Sequence, residues 1–585
     1  MIFLATRTDS SADRRASTVS TTKRPGTAGK RHGWKGGNEF VKQLWFRSSF
    51  PAVPWQFQAV SLLKPLIFPR VSGLIGGLLL AVSARIQAQD GKAVYVKWCS
   101  GCHGDAGAGD GYGSKAMLPH PRDFTKGVYK IRTTASGEIP TDDDLRRIVE
   151  VGMPGTAMPE WKSRLSAAEI GAVVQYIKTF SPNSFKGPAA KQIAIGKAPS
   201  GSGVDEGKTV FQKLECYKCH GAAGRADGKS APTLKDDYGN PIRPADLTEN
   251  WKFRGGSSVT DIYARLRTGL DGTPMPSFQD AVDNKLITDE QLWRVAQYVH
   301  SLSPEKAPEP REVVRAARAA SLPTTPDAPA WNNVERFWVP LVGQIIAKPR
   351  WFAPTVDGVW VQALHDGRSL ALRVSWDDPS KSPDAPWDEW LGRMSKTLTD
   401  VDGPLATQQG PDRLVVQFAP NPNDESKRPY FLGGDAKSPV YAWRWSSEPR
   451  VEEGTEAGLG KFTALPNVSV KQASRYADGQ WQVLFTRPLA SPDSTKVPRF
   501  TAGHAIPMGF YAADGSSGED EVRGSVSTWY MVYLDVPTPT RVFVAPIAMI
   551  ALSAGLGMLL VTRAQRREQN GNGGGTKDST HMEER

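Results

Sequence analysis

A five-residue pattern that occurs twice constrains this chain more than any other feature. Residues 99–103 read Cys-Ser-Gly-Cys-His, and residues 216–220 read Cys-Tyr-Lys-Cys-His. Two cysteines separated by two residues and followed by a histidine form the C-x-x-C-H signature of covalent c-type haem attachment. The motifs predict two haems, attached through Cys99 and Cys102 and through Cys216 and Cys219, with His103 and His220 as the proximal iron ligands.

A second repeated pattern supplies a candidate ligand for the opposite side of each iron. Residues 155–161 read Gly-Thr-Ala-Met-Pro-Glu-Trp, and residues 272–278 read Gly-Thr-Pro-Met-Pro-Ser-Phe. Met158 and Met275 are the predicted distal ligands, because a thioether opposite a histidine is the axial pair of electron-transfer cytochromes. In the first unit, Met117 and Met153 are the alternatives to Met158.

The spacing of these signatures indicates an internal duplication. Cys99 and Cys216 are 117 residues apart, as are Met158 and Met275, and a fixed offset between rare signatures is typical of a repeat. A redox dithiol or half of a zinc site is the alternative for a single C-x-x-C pair. Zinc would require further cysteines, and the four cysteines of the chain are all used by the two motifs.

Most of the positive charge lies in the first 85 residues. They carry a net +10 of the +11 of the whole chain, so the basic character does not indicate nucleic acid as a partner. We interpret residues 1–63 as a disordered or misannotated extension. Residues 64–88 have the basic, apolar and small-residue regions of a signal peptide. Export agrees with the haem motifs, because bacterial c-type haems are attached outside the cytoplasm.

The two haem units are predicted over residues 90–183 and 203–303, separated by a linker over 184–202. Their helices are predicted at residues 142–150, 167–179, 210–219, 260–269 and 288–302 from the spacing of apolar residues. Both units resemble class I cytochrome c, which implies an all-α fold around each haem. His120 and His300 are interpreted as surface or packing residues, since placed methionines already complete each iron.

Residues 331–535 have a different texture, with short alternating runs separated by Pro, Asp and Gly. Strands are predicted at residues 359–363, 369–376, 414–418 and 481–487. Many short strands with such turn signals predict a β-sandwich or barrel. The Pro-, Ala- and Arg-rich residues 304–330 are interpreted as a second linker.

This region resembles the ethylbenzene dehydrogenase haem-binding domain, the γ subunit of type II molybdenum oxidoreductases of the dimethyl-sulfoxide reductase family, which includes nitrite oxidoreductase relatives. The matching segments are 367–378, 412–418, 440–445, 479–489 and 527–530. The resemblance implies a β-sandwich with one b-type haem held by Met and Lys, and molybdopterin and iron–sulfur subunits as partners.

The sequence departs from that family at both expected ligands of the b-type haem. Leu432 stands where the methionine is expected, and residues 521–529 contain no lysine. An aliphatic side chain cannot ligate iron. Two alternatives follow: a domain that only docks partners, or a haem b with substitute ligands, for which the candidates are Met394, Met508, His365 and His504.

The last predicted element is a transmembrane helix over residues 542–561, whose length suits a bilayer. Arg563, Arg566 and Arg567 follow it and place the tail, 562–585, in the cytoplasm. The predicted fold class is therefore multidomain: two all-α cytochrome c domains, a β-sandwich and one C-terminal transmembrane helix, anchored at the periplasmic face of the bacterial inner membrane.

The predicted function is transfer of single electrons in a respiratory chain, as the γ-like subunit of a molybdenum oxidoreductase. Two six-coordinate irons leave no position for a substrate, so we assign no catalytic residue. The alternative is a dihaem redox enzyme, a peroxidase or an oxidant of sulfur compounds, with one accessible haem. A sensor that uses the sandwich to bind a ligand is a third hypothesis.

Overall fold

The computed structural model describes residues 90–398, 402–422, 424, 427–448, 450–490 and 497–571. The predicted extension over 1–63 and the signal peptide over 64–88 lie outside the described residues, as does the tail from residue 572.

The first haem unit is built from helices whose buried faces meet in one core. Helix α1 packs on α4, and the apolar residues Val94 and Tyr95 of α1 lie in the same cluster as Val173 and Ile177 of α4. Reciprocal capping boxes fix the start of α3 at Thr141 and of α4 at Ser166. The helices are α1 (Gly91–Trp98), α2 (Ser100–His103), α3 (Asp142–Val151) and α4 (Ala167–Lys178).

The second haem unit repeats this arrangement with one difference from the prediction. The helix predicted over 210–219 starts earlier, at Val204, and breaks before the haem motif, because Glu215 has a left-handed backbone with φ of 58°. The long last helix packs on the first one and on the middle one. The helices are α5 (Val204–Lys213), α6 (Tyr217–His220), α7 (Val259–Thr268), α8 (Gln279–Asp283) and α9 (Asp289–Ser301).

The two haem units contact each other through a buried arginine. The side chain of Arg132 is fully buried, pairs with Asp271 at 2.7 Å and donates to the carbonyl oxygen of Thr268 at 2.8 Å. A second, exposed pair between the units joins Arg147 and Asp261 at 3.1 Å. Both predicted methionine loops lie at the boundary between the units, because a Cβ atom on Gly155 would lie 3.3 Å from Lys252 and one on Gly272 would lie 3.4 Å from Val128.

The C-terminal half contains fourteen strands among the described residues, hydrogen-bonded into one network in the order β10-β11-β5-β4-β1-β14-β12-β6-β7-β8-β9, with β2, β3 and β13 attached beside it. Four strands overlap the predicted ones, and β1 lies within the predicted linker 304–330. The strands are β1 (Val313–Arg318), β2 (Phe337–Pro340), β3 (Val342–Gly343), β4 (Gly358–His365), β5 (Ser369–Asp377), β6 (Arg413–Phe418), β7 (Val440–Ser446), β8 (Arg450–Glu456), β9 (Phe462–Ala464), β10 (Lys471–Ala477), β11 (Gln480–Pro488), β12 (Ala505–Ala513), β13 (Ser525–Val526) and β14 (Tyr530–Leu534).

The interpretation of residues 304–330 as a linker is therefore wrong for β1. This strand pairs in parallel with both β4 and β14, and its residues Val314 and Ala316 are fully buried. Pairing on both sides makes β1 a central strand, although only its two valines are typical strand residues, beside two arginines and two alanines.

One aromatic core unites the strand network, which we call the β domain. The rings of Trp443 on β7 and Phe485 on β11 are 5.6 Å apart, although six strands separate β7 from β11 along the network. The two halves of the network therefore face each other across a common core. A short helix, α10 (Asp388–Thr397), lies outside this core.

The C-terminal helix α11 (Arg541–Gly571) is long and apolar. Residues 541–570 have a mean hydropathy of 2.2 in their most apolar window, and they are exposed throughout. The helix is longer than the predicted span 542–561, because it continues through Arg563, Arg566 and Arg567.

Candidate functional site

The first haem motif is presented by a helical turn that follows α1. The amides of Cys102 and His103 both donate to the carbonyl oxygen of Cys99, at 3.1 and 2.9 Å. This turn places the two cysteines of the motif one helical turn apart. Both cysteines are half-buried and free of disulfide bonds.

The second haem motif has the same geometry. The amides of Cys219 and His220 donate to the carbonyl oxygen of Cys216, at 3.3 and 3.0 Å, and both cysteines are again half-buried and free. The structure thus reproduces in both units the local arrangement that two thioether bonds to one porphyrin require.

Both motif histidines are oriented by a backbone carbonyl group. The Nδ1 atom of His103 lies 3.0 Å from the carbonyl oxygen of Arg122, and that of His220 lies 2.9 Å from the carbonyl oxygen of Ala245. A carbonyl oxygen only accepts, so each Nδ1 carries the hydrogen and each Nε2 keeps its lone pair for a metal. Burial lowers the pKa of both histidines, which favours the neutral, metal-binding form.

The two carbonyl groups belong to a repeated loop that the sequence analysis missed. Residues 121–125 read Pro-Arg-Asp-Phe-Thr and residues 244–248 read Pro-Ala-Asp-Leu-Thr. In each loop the aspartate accepts from the threonine amide, at 2.9 Å in the first unit and 2.8 Å in the second. The pattern P-x-D-x-T was the available signal. The two copies of this pattern are 123 residues apart, whereas the haem motifs are 117 residues apart, so a search at the spacing of the haem motifs does not find the second copy.

The methionine loops also have one geometry in both units. Thr156 accepts from the amide of Met158 at 3.2 Å, and Thr273 accepts from the amide of Met275 at 3.3 Å. Met158 packs in the same apolar cluster as Cys99, and Met275 in the same cluster as Cys216. Each predicted distal ligand therefore lies in the core that contains the haem motif of its own unit.

The two alternative methionines of the first unit occupy positions where the second unit has leucine. Met153 anchors its loop through the backbone, with its amide donating to the carbonyl oxygen of Met158, and Leu270 does the same with Met275. Met117 corresponds to Leu234 at the same offset of 117 residues. Since leucine cannot ligate iron, only Met158 has a ligand-capable counterpart in the second unit.

Glycines at the motif leave no room for a side chain. A Cβ atom on Gly111 would lie 2.5 Å from the carbonyl oxygen of Gly101, and one on Gly228 would lie 2.3 Å from that of Lys218. Both glycines let the following loop close over the motif turn. This close approach, with the open Nε2 atoms and the free thiols, fits a covalently bound haem in each unit.

Two half-buried cations near the boundary of the two units also fit the haem. Burial, first of all, and the neighbouring Arg122 and Arg254 lower the pKa of Lys130 to about 8, while Asp236 raises it. Burial likewise lowers the pKa of Arg254. An anion stabilises positive charge that is partly removed from water, and the peripheral carboxylates of a haem are anions of the right kind. The sequence analysis did not identify these residues.

The β domain does not bring the four candidate ligands of a haem b together. Met508 is buried in the main aromatic core, whereas Met394 belongs to a separate cluster. The Nε2 atom of His365 is bound to the carbonyl oxygen of Asp535 at 2.8 Å, and His504 is exposed.

Leu432, at the position expected for the methionine, lines a cavity of about 220 Å³. Charged residues share this cavity, among them Arg444 and Glu521, which pair at 2.6 Å. Among the described residues that line it, there is no histidine, methionine or lysine. The structure thus gives no support to the haem b expectation.

His120 and His300, interpreted above as surface or packing residues, are both half-buried. Burial lowers the pKa of His120, and a hydrogen bond to the backbone of Thr397 on α10 opposes this effect. His300 lies in the last turn of α9 and is half-buried. The structure therefore gives His120 a packing role between the first haem unit and α10.

Comparison with known protein families identifies two cytochrome c domains. Residues 86–177 match the family described as cytochrome C oxidase, cbb3-type, subunit III, and residues 204–303 match cytochrome c. The chain is therefore multidomain, with two domains of the kind that carries covalently bound haem c.

Similar proteins have the names of oxidoreductase subunits, and one of them is named as a heme subunit. A Haloferax mediterranei protein provisionally named respiratory nitrate reductase heme subunit ORF7 is 27% identical over 37% of this chain and 70% of its own length. The dimethylsulfide dehydrogenase subunit gamma of Rhodovulum sulfidophilum is 28% identical over 34% of this chain and 69% of its own length.

Two further proteins each match about a third of the chain. The cbb3-type cytochrome c oxidase subunit CcoP of Rhodobacter capsulatus is 29% identical over 36% of this chain and 61% of its own length. A chain of the Kuenenia stuttgartiensis reducing HAO-like protein complex is 43% identical, covers 37% of this chain and 96% of its own length, and gives a TM-score of 0.35. The curated relatives support electron transfer with redox proteins as partners.

Proposed function

We propose that this chain is a membrane-anchored dihaem cytochrome c that relays single electrons within a respiratory complex. One observation carries the proposal: each repeat orients a neutral histidine through a backbone carbonyl and packs a methionine in the same core. His103 and Met158 would hold one iron, and His220 and Met275 the other. When bound, haem supplies an iron that gains and loses one electron.

The protein's own residues define how this relay works. Cys99, Cys102, Cys216 and Cys219 would fix the haems covalently, and the carbonyl groups of the P-x-D-x-T loops keep each imidazole in one tautomer. With a histidine and a methionine on each iron, no coordination position would remain for a substrate. This argues for relay and against the alternative of a dihaem peroxidase or an enzyme that oxidises sulfur compounds.

Substitution of the methionines tests the ligand assignment. We expect Met158→Leu and Met275→Leu each to lower the reduction potential of one haem and to turn that haem partly high-spin, because a thioether ligand raises the potential. Met117→Leu and Met153→Leu are matched controls, since the second unit has leucine at both positions. Loss of the low-spin signal in a control variant, with Met158→Leu unaffected, would contradict the assignment.

The same samples discriminate between relay and enzyme. We expect the oxidised and reduced wild-type protein to be fully low-spin and to bind neither cyanide nor carbon monoxide at the iron. High-spin iron in the wild type, with turnover of peroxide or of a sulfur compound, would favour the enzyme.

We propose further that the β domain is a β-sandwich and that the chain is the γ-like subunit of a molybdenum oxidoreductase. The names of two relatives, a nitrate reductase heme subunit and a dimethylsulfide dehydrogenase subunit gamma, support this partner class. Purification of the native complex should recover a molybdopterin subunit and an iron–sulfur subunit, identified by mass spectrometry and metal analysis. Recovery of oxidase subunits alone would contradict it.

The C-terminal helix would anchor the haem units at the periplasmic face of the inner membrane. Its mean hydropathy of 2.2 and its complete exposure support a span, and the arginines after it support a cytoplasmic C-terminus. A chain truncated after Asp535 should be released into the periplasmic fraction, whereas the full chain should resist an alkaline wash of the membranes. A full chain found in the soluble fraction would contradict the anchor.

A further inference from the structure

Three fully buried aspartates meet at one rim of the β domain. Asp378 follows β5, Asp412 precedes β6 and Asp514 follows β12. All three are 0% exposed. One carboxylate oxygen of each lies within 4.8 Å of one oxygen of each of the others. Two oxygens bound to one cation at 2.3–2.6 Å are at most roughly 4.6–5.2 Å apart, so this spacing suits a shared cation.

The positive charge found at this rim does not balance three carboxylates. Within the part of the chain that the structure describes, Arg243 from the second haem unit is the cation that pairs with the cluster, at 3.1 Å from Asp514. A fourth carboxylate, Glu519, is also fully buried and accepts from the Asp514 amide at 3.0 Å. Buried like charges without compensation are strongly unfavourable.

One oxygen of the cluster has no protein partner. Asp412 accepts from the amides of Ser382 and Gly515 and from the indole of Trp481. Asp514 accepts from serines and from Arg243. The Oδ2 atom of Asp378, although fully buried, accepts no hydrogen bond. A buried carboxylate oxygen without a donor indicates a missing positive partner.

We propose that Asp378, Asp412 and Asp514 bind a calcium ion. The cluster offers carboxylate and hydroxyl oxygens, which are the hard ligands that calcium takes. Zinc prefers nitrogen and sulfur donors, which the three aspartates do not supply. Magnesium usually keeps several waters, which three fully buried carboxylates disfavour. In the absence of a cation, burial and mutual repulsion raise the pKa of Asp378 and Asp412, so the competing state of the cluster is a protonated one.

The ion would stabilise the contact between the second haem unit and the β domain. Arg243 donates to Asp514 and to Ser517, and its guanidinium lies 4.5 Å from the ring centre of Trp390 on α10. Pro244 and Ala245 follow Arg243, and Ala245 supplies the carbonyl oxygen that orients His220. Calcium at this rim thus fixes the start of the loop that holds the second proximal ligand.

The direct test measures calcium bound to the purified full-length haem protein. After removal of metals with EGTA, equilibrium dialysis with ⁴⁵Ca²⁺ should find one saturable site per chain, which excess Mg²⁺ does not displace. EGTA should lower the melting temperature by roughly 5–10 °C, for a site occupied at about 100 times its Kd, and Ca²⁺ should restore it. No saturable site and no effect of EGTA would overturn the proposal in favour of the protonated cluster.

Two variants locate the ion. Asp378→Asn should lose the bound calcium and become insensitive to EGTA, because it removes one ligand charge. Glu448→Gln, with the same change of charge at an exposed residue of the β domain, should bind calcium like the wild type. If Asp378→Asn does not fold, Asp412→Asn makes the same test at a second ligand, and the absence of a saturable site in the wild type still overturns the proposal. Calcium retained by a folded Asp378→Asn protein would place the ion elsewhere and overturn it.

Discussion

The buried arginine between the haem units gives a prediction with a magnitude. Arg132 is fully buried and donates to the carbonyl oxygens of Thr268, Tyr129 and Ala135 while it pairs with Asp271. Removal of one partner from a buried ion pair typically costs about 3–5 kcal/mol. Asp271 would keep two donors, Ser136 and the Gly137 amide, so we expect Arg132→Met to lie near the lower limit, about 3 kcal/mol.

The exposed pair between the same units is the matched control. Arg147 and Asp261 are 44% and 28% exposed in their side chains, and an exposed pair contributes about 0.2–1 kcal/mol. Thermal unfolding of the full chain, followed at the haem absorbance, should show a fall of roughly 6–12 °C for Arg132→Met and at most about 4 °C for Arg147→Met. Equal shifts for the two variants would refute the reasoning that burial of Arg132 sets the strength of this contact.

Three further predictions concern the haem site. Because burial lowers the pKa of His103 and His220, neither imidazole should take up a proton in the folded chain near pH 6, whereas both take one up in the unfolded chain below about pH 6.5. Histidine side-chain NMR between pH 7 and 5 checks this, and a folded-state transition of either imidazole near pH 6.5 would contradict it. Gly111→Ala and Gly228→Ala should each reduce haem incorporation, measured by haem staining of gels, because the added Cβ meets a backbone oxygen. Gly171→Ala is the control, since no atom lies within 4 Å of its Cβ. Equal staining of all three variants would contradict the close approach. Asp246→Ala should weaken the loop that orients His220, because the carboxylate accepts from the Thr248 amide and hydroxyl. Thermal unfolding followed by haem absorbance should show the second haem unit melting earlier, with a smaller change in the first. Equal destabilisation of both units would contradict a local effect.

Local patterns in the sequence predicted the elements whose determinants are local. Apolar residues at helical spacing predicted the last helix of each haem unit to within a few residues, and the structure shows capping boxes at Ser166 and Thr288 that fix where these helices start. Alternation predicted β4, β5, β6 and β11, because one face of each packs into a core.

The features that the sequence did not reveal depend on contacts between distant segments. Strand β1 has only two valines as a strand signal, in a Pro-, Ala- and Arg-rich region, and its position follows from parallel pairing with β4 and β14. The carboxylates Asp378, Asp412 and Asp514 come from three strand ends and meet only in the folded β domain. The carbonyl groups that orient His103 and His220 are backbone atoms, which no residue type marks.

The haem content of the purified full-length protein tests the account most directly. A pyridine haemochrome spectrum, with the polypeptide quantified by amino-acid analysis, should give two haems c per chain and no haem b, with the colour retained after extraction with acidified acetone. A value of zero or one haem c, or colour that the acid acetone removes, would contradict the two covalent haem sites on which the proposed relay depends.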